Sequence, residues 1–165
     1  MTPLKRILLV EDSPRDAELI LDALEANQLA NEVVHVRDGA EALDYLYRRA
    51  QFRDRSEGQP ALMLLDLKLP KVDGLEVLRQ IKGDSGLKMI PIVMMTSSRE
   101  EQDLVNSYQL GVNAYVVKPM KFHDFVEAVK QVGGFWAVIN EVPPGSLRRS
   151  EPVGAWRTGQ SGDQT

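Results

Sequence analysis

The chain has 165 residues, with 20 Lys and Arg against 24 Asp and Glu and a net charge of −4. This length suits one domain with a substantial core, and the slight acidic excess gives no electrostatic reason to bind nucleic acid or an anionic membrane. The absence of cysteine excludes disulfides and thiolate metal sites, and the two histidines argue against a histidine-based metal or catalytic centre.

Short apolar runs along the chain predict strands. Four of them are continuous, as expected for strands of a parallel sheet that is covered on both faces. In chain order the predicted strands are residues 7–10, 33–36, 62–65, 92–95 and 114–117.

Amphipathic segments follow the strands and predict helices. Ser13 can cap the first helix and Pro14 fits its first turn. Strands and helices that alternate at this spacing imply right-handed crossovers, with helices on both faces of the sheet. We therefore expect an α/β fold of the (βα)5 type, a doubly wound parallel sheet of five strands.

Two segments depart from this regularity. Residues 48–60 form a long charged connection where most such loops need only about 2 to 6 residues, and they are either a solvated insertion or a partner contact. Residues 133–142 are an apolar extension beyond the last helix, which must be buried on its own domain or in a homodimer. The composition of residues 143–165 predicts a disordered tail.

Polar residues end four of the predicted strands. Ligand sites of open parallel sheets lie at the carboxyl ends of the strands, so we expect these residues to meet at one edge. They are Glu11 with Asp12, then Asp66, Thr96 and Lys118.

This set of residues suits phosphoryl transfer to Asp66. A carboxylate can attack phosphorus and form an aspartyl phosphate, but the repulsion between the acids and the incoming group must be offset by a cation. Mg²⁺ prefers such oxygen ligands, and Asp12 and Asp66 are the expected side-chain ligands. Lys118 would pair with one phosphoryl oxygen, and the hydroxyl of Thr96 would donate to another.

With these residues in this order, residues 4–132 resemble the CheY-like receiver domain of two-component response regulators, which has a flavodoxin-like fold. The resemblance implies that Asp66 is the phosphoacceptor for a histidine kinase. It also implies that Glu11 joins Asp12 in the metal site and that the backbone carbonyl of Lys68 is a further ligand. Many family members have Asp where Glu11 stands, so its contact with the metal is either direct or through water.

The resemblance further implies a conformational switch. Thr96 would be the switch hydroxyl, Tyr115 the switch aromatic residue and Lys118 the phosphate-binding lysine. A phosphoryl group would draw the Thr96 hydroxyl inward and Tyr115 would fill the vacated space. The surface of the fourth helix, fifth strand and fifth helix would then change for a downstream partner.

Within the family, the loop at 48–60 and the apolar Phe135 and Trp136 are similar to those of small regulators that accompany phytochrome-type histidine kinases. This implies a single-domain regulator whose kinase is a bacteriophytochrome, and a general phosphorelay intermediate without a photoreceptor is the alternative. Its target would be a downstream protein or a phosphotransfer protein, because the segment after residue 132 has no basic helix pattern for DNA. Neither a signal peptide nor a membrane span precedes the first strand, so we expect a cytoplasmic protein.

The chain lacks residues that two rival functions would need. A haloacid-dehalogenase-type phosphatase requires a second acid two residues after its nucleophile, where this chain has Lys68. A nucleotide-binding switch would want a glycine-rich loop after the first strand, where Glu11 and Asp12 stand. A binding module that is independent of phosphorylation would need none of these polar residues. We therefore expect no enzyme in the usual sense, but a protein that catalyses only phosphoryl transfer to its own Asp66 and its own dephosphorylation.

Overall fold

The computed structural model describes residues 6–28, 32–97, 100–118, 121, 123–129 and 148–150. These residues form one sheet with helices on both faces. The strands are β1 (Arg6–Val10), β2 (Glu32–Val36), β3 (Leu62–Asp66), β4 (Ile92–Thr96), β5 (Ala114–Val117) and β6 (Arg148–Ser150). The α-helices are α1 (Pro14–Ala26), α2 (Gly39–Tyr47), α3 (Gly74–Gly83) and α4 (Glu101–Gln109), and α5, of which residues 123–129 are described.

All strand pairs are parallel, in the order β5-β4-β3-β1-β2-β6. The order β2-β1-β3-β4-β5 is the flavodoxin-like arrangement of a doubly wound sheet, which confirms the predicted fold class. The chain crosses from one side of β1 to the other between β2 and β3. The carboxyl ends of β1 and β3 therefore flank the topological switch point, where ligands of such sheets bind.

The sheet has one strand more than the five that we predicted. Arg148 of β6 is in register with Glu32 of β2, and Ser150 is in register with Val34. These residues belong to the segment 143–165, whose composition predicts disorder. An open sheet edge can order a short extended segment through backbone hydrogen bonds alone, which is why composition did not indicate this strand. The apolar extension 133–142 and the rest of the tail lie outside the described residues.

Two apolar layers enclose the sheet. Successive strand residues point to opposite faces, so Leu8 packs with α2 and α3 while Ile7 packs with α1 and α5. Every residue of β1 and β3 is buried, which explains why these strands are continuous apolar runs. The polar residues that end these strands are therefore held on a rigid frame.

Side-chain caps fix where the helices begin. The Ser13 hydroxyl accepts a hydrogen bond from the backbone N–H of Asp16, and Pro14 is the first residue of α1, as the sequence predicts. Asp38 caps α2 in the same way. Among the helices that the structure describes, none combines the length and the apolar character needed to cross a bilayer.

The long connection 48–60 is folded onto the domain. Phe52 is buried in a 3-10 turn and packs edge-on against the ring of Tyr45, with centroids 5.2 Å apart. Arg55 is only 8% exposed, and its guanidinium lies 4.0 Å from the centroid of the same ring. It donates to the Tyr45 carbonyl, to two carbonyls of the loop itself and to the side chain of Gln59. Most residues of the loop are nevertheless exposed, as a solvated insertion predicts, and the buried side chains of Phe52 and Arg55 anchor it to the domain. The other interpretation, a partner contact, stays a prediction.

Candidate functional site

Four of the polar residues that follow the strands lie together at the carboxyl edge of the sheet. One carboxylate oxygen from each of Glu11, Asp12 and Asp66 lies within 4.8 Å of the other two. The Lys118 ammonium lies 2.7 Å from Glu11 Oε2 and 2.9 Å from Asp66 Oδ2. The structure thus brings acids from β1 and β3 together with a lysine that follows β5.

The backbone around Asp66 is tightly constrained. The N–H of Lys68 donates to Asp66 Oδ1 over 3.1 Å, which orients the carboxylate. The first residue of α3, Gly74, packs so closely that a Cβ there would lie 2.1 Å from the Asp66 carbonyl oxygen. Its own N–H donates to the Leu67 carbonyl over 2.8 Å. The start of α3 therefore fixes the loop that carries Asp66.

Glu11 is fully buried, and both its carboxylate and its backbone carbonyl accept hydrogen bonds. Its Oε1 accepts from the backbone N–H of Ser13 over 3.2 Å, and its Oε2 accepts from Lys118. The buried ring of His35 donates from Nε2 to the Glu11 carbonyl over 2.8 Å. His35 therefore supports the site from β2 through the Glu11 backbone.

Burial, hydrogen bonds and the charges of neighbouring groups shift the pKa values of Glu11 and Lys118. Burial, together with the hydrogen bond and the charge of Asp66, raises the pKa of Glu11 to about 8, although Lys118 acts in the opposite direction. Burial alone would lower the pKa of Lys118, but its hydrogen bonds to Glu11 and Asp66 and their charges outweigh burial and raise it. Lys118 is therefore a firmly held cation among acids.

The acid cluster fits a divalent metal ion. Its donors are all carboxylate oxygens, the ligands that Mg²⁺ and related hard ions prefer. Glu11, Asp12 and Asp66 can each supply an oxygen to such an ion. Lys68 lines the same cleft.

The cleft itself has a volume of about 700 Å³. Its lining includes the acids and Lys118, and it also includes apolar residues of α1 and α5, among them Leu19, Ile20 and Phe125.

The two predicted switch residues lie on neighbouring strands. Thr96 ends β4 in register with Val117, so its backbone reaches the edge that carries the acids, while its side chain lies outside the described part of the chain. Tyr115 of β5 packs against the core cluster on the α2 and α3 face. Its ring is 6.4 Å from that of Tyr108 on α4, which is 54% exposed.

We did not predict Asp16 as a site residue, yet it contacts Lys118. Its Oδ2 lies 3.0 Å from the Lys118 ammonium. An acid in the first turn of a helix is common because it interacts favourably with the helix N-terminus, so Asp16 does not stand out in the sequence. The one available signal is that α1 begins at the edge of the sheet that carries Glu11.

The fold and the site define a receiver-type protein, with an acid cluster and a lysine at the switch point of a flavodoxin-like sheet. The chain belongs to the response regulator receiver domain family, whose model matches residues 7–130.

The chain is similar to several individual members of this family. The structure of the bacteriophytochrome response regulator RtBRR is 64% identical and superposes with a TM-score of 0.78, covering 87% of each chain. Response regulator Rcp1 of Synechocystis sp. is 40% identical over 86% of this chain and 95% of its own. Its Mn²⁺-bound form superposes with a TM-score of 0.68 at 39% identity, covering 84% of this chain and 96% of Rcp1. The probable methanogenesis regulatory protein FilR2 of Methanothrix harundinacea is 43% identical over 83% of this chain and 86% of its own.

Proposed function

We propose that this protein is a single-domain response regulator that accepts a phosphoryl group from a histidine kinase on Asp66. The observation that carries the proposal is the position of Asp66. Its carboxylate ends β3 at the switch point, 2.9 Å from a lysine ammonium and within 4.8 Å of two further acids. A nucleophile, a cation and metal ligands are the parts that phosphoryl transfer to a carboxylate requires.

In the transfer, an oxygen of the Asp66 carboxylate attacks the phosphorus of a phosphohistidine. The O–P bond forms as the P–N bond breaks, and the imidazole nitrogen keeps the bonding electron pair. Lys118 is already hydrogen-bonded to Asp66, so its ammonium can neutralise an oxygen of the arriving phosphoryl group. In dephosphorylation, a water oxygen attacks the phosphorus and the bond between Asp66 and the phosphorus breaks. Inorganic phosphate leaves and the Asp66 carboxylate is restored. The protein would thus act on its own Asp66 and on no external substrate.

We propose that Glu11, Asp12, Asp66 and the backbone carbonyl of Lys68 hold Mg²⁺. A bound ion of this kind neutralises charge on the phosphoryl oxygens. The all-oxygen donor set supports this assignment, and so does the Mn²⁺-bound form of the relative Rcp1.

Replacement of the phosphoacceptor tests the proposal directly. We expect Asp66→Asn to abolish phosphorylation by acetyl phosphate with Mg²⁺, because an amide cannot form an acyl phosphate. Intact-protein mass spectrometry measures the added phosphate. Asp54→Asn is the matched control, since the Asp54 side chain is 96% exposed in the loop after α2, and it should be labelled like the parent. Equal labelling of Asp66→Asn and the parent would refute the assignment.

We further propose that the kinase is a bacteriophytochrome. The similarity to RtBRR supports this partner, while the similarity to FilR2 keeps a phosphorelay without a photoreceptor as the second candidate. Phosphotransfer from a panel of purified histidine kinases that includes a bacteriophytochrome separates the two. A cytoplasmic location and a downstream protein target stay predictions from the sequence.

A further inference from the structure

Three carboxylates share the ammonium of Lys118. The distances from Nζ are 2.7 Å to Glu11, 2.9 Å to Asp66 and 3.0 Å to Asp16. Glu11 and Asp66 belong to the acid cluster that can hold a metal, and Asp16, on α1, does not. The contact between Asp16 and Lys118 therefore has no part in the metal site.

A lysine ammonium has three N–H donors, so these three acceptors can use all of them. Phosphorylation converts the Asp66 carboxylate, one of these three acceptors, into an acyl phosphate, and a phosphoryl oxygen can then take its place. The two remaining acids, Glu11 and Asp16, still compete with the phosphoryl oxygen for the ammonium. Glu11 is a poor candidate to be released, because it is fully buried and water cannot replace its lost partner. The Asp16 side chain is 35% exposed, so water can solvate it once it is released.

We propose that Asp16 holds the ammonium of Lys118 in the unphosphorylated protein and competes for it with the phosphoryl group on Asp66. The inference rests on the proposed phosphorylation of Asp66. Asp16 is a positioning residue that acts through Lys118, and its negative charge also opposes the arriving phosphoryl group. Removal of this charge strengthens the pairing between Lys118 and the phosphoryl group.

A purely structural role for Asp16 predicts a different result. The residue lies in the first turn of α1 and its backbone N–H takes part in the Ser13 cap, so a first-turn acid could simply favour the helix. In that case its loss would lower the melting temperature and leave Lys118 and phosphoryl binding unchanged.

The experiment compares the parent with Asp16→Asn and with a matched control, Glu18→Gln, which removes one negative charge from the same helix. The first probe is beryllofluoride with Mg²⁺, which mimics the phosphoryl group and whose affinity is measured by titration. We expect Asp16→Asn to bind it about two- to fivefold more tightly, as the loss of a partly exposed ion pair allows. The second probe is the NMR signal of the Lys118 ammonium in metal-free protein, which should shift in Asp16→Asn alone.

Each outcome decides the matter. Tighter beryllofluoride binding together with a shifted Lys118 signal supports the competition. An unchanged beryllofluoride affinity, or an unchanged Lys118 signal, overturns the competition by Asp16. The proposed function is still supported in that case if Asp66 is labelled by acetyl phosphate. If neither the parent nor the variant is labelled by acetyl phosphate, the proposed function fails and the competition falls with it, whatever the Lys118 signal shows.

Discussion

At the scale of single residues, Gly74 packs against the backbone of Asp66 and leaves no room for a Cβ. We expect Gly74→Ala to destabilise the protein by about 1–3 kcal/mol, because the new Cβ would overlap the Asp66 carbonyl and force the backbone to shift. It should also slow phosphorylation of Asp66, since the loop that carries the carboxylate moves with the shift. Urea denaturation and acetyl phosphate labelling measure the two effects.

The same helix supplies the control. Gly83 is the last residue of α3 and has open space where a Cβ would be. Gly83→Ala should leave the free energy of unfolding unchanged or raise it by up to about 1 kcal/mol. If the two alanine variants were equally stable, the close packing of α3 on the Asp66 loop would not be a constraint on the fold.

Thr96 is the residue on which the proposed switch depends. We expect Thr96→Ala to accept a phosphoryl group on Asp66 but to transmit it poorly, because the hydroxyl that would be drawn to the phosphoryl oxygen is missing. Amide NMR shifts of α4 and β5 on addition of beryllofluoride measure the transmission. Ser97→Ala removes a hydroxyl from the next position, which lines the same cleft, and should respond like the parent. Identical shifts in the Thr96 variant would contradict the switch.

At the scale of elements, the loop 48–60 depends on one buried cation. Arg55 donates to several carbonyls and stacks on Tyr45. We expect Arg55→Ala to cost about 2–4 kcal/mol, since buried carbonyl groups lose their donors. It should also speed proteolytic cleavage within the loop. Both effects can be measured, by urea denaturation and by limited proteolysis.

A neighbouring arginine in the same loop tests the specificity of this effect. The Arg53 side chain is 80% exposed and pairs only loosely with Asp54. Arg53→Ala should change the free energy of unfolding by no more than about 0.5 kcal/mol. Equal losses in the two variants would mean that the charge of the loop matters and the buried contacts do not.

At the scale of the whole molecule, the assignment of residues 133–142 stays a proposal. We propose that this apolar extension, which includes Phe135 and Trp136, is buried in a homodimer. A chain truncated after Gly134 should then sediment as a monomer where the full chain sediments as a dimer. An unchanged mass would contradict the dimer role and favour packing of the extension on its own domain.

The sequence by itself determined the fold class and four of the residues that meet at the site. Strands buried on both faces are mostly apolar, so their runs are visible locally, and the polar residue that ends each run is covalently tied to its strand. Because parallel strands share one carboxyl edge, Glu11, Asp12, Asp66 and Lys118 could be placed together without any tertiary information.

Only the tertiary structure decided the contacts that have no local pattern. Asp16 and Lys118 are 102 positions apart and meet because α1 and the end of β5 are packed at the same edge. The strand β6 depends on backbone groups of β2 that are unpaired only at the edge of the finished sheet. Arg55 is buried in a segment that is otherwise charged, because the carbonyls it satisfies come together only when the loop folds back on α2.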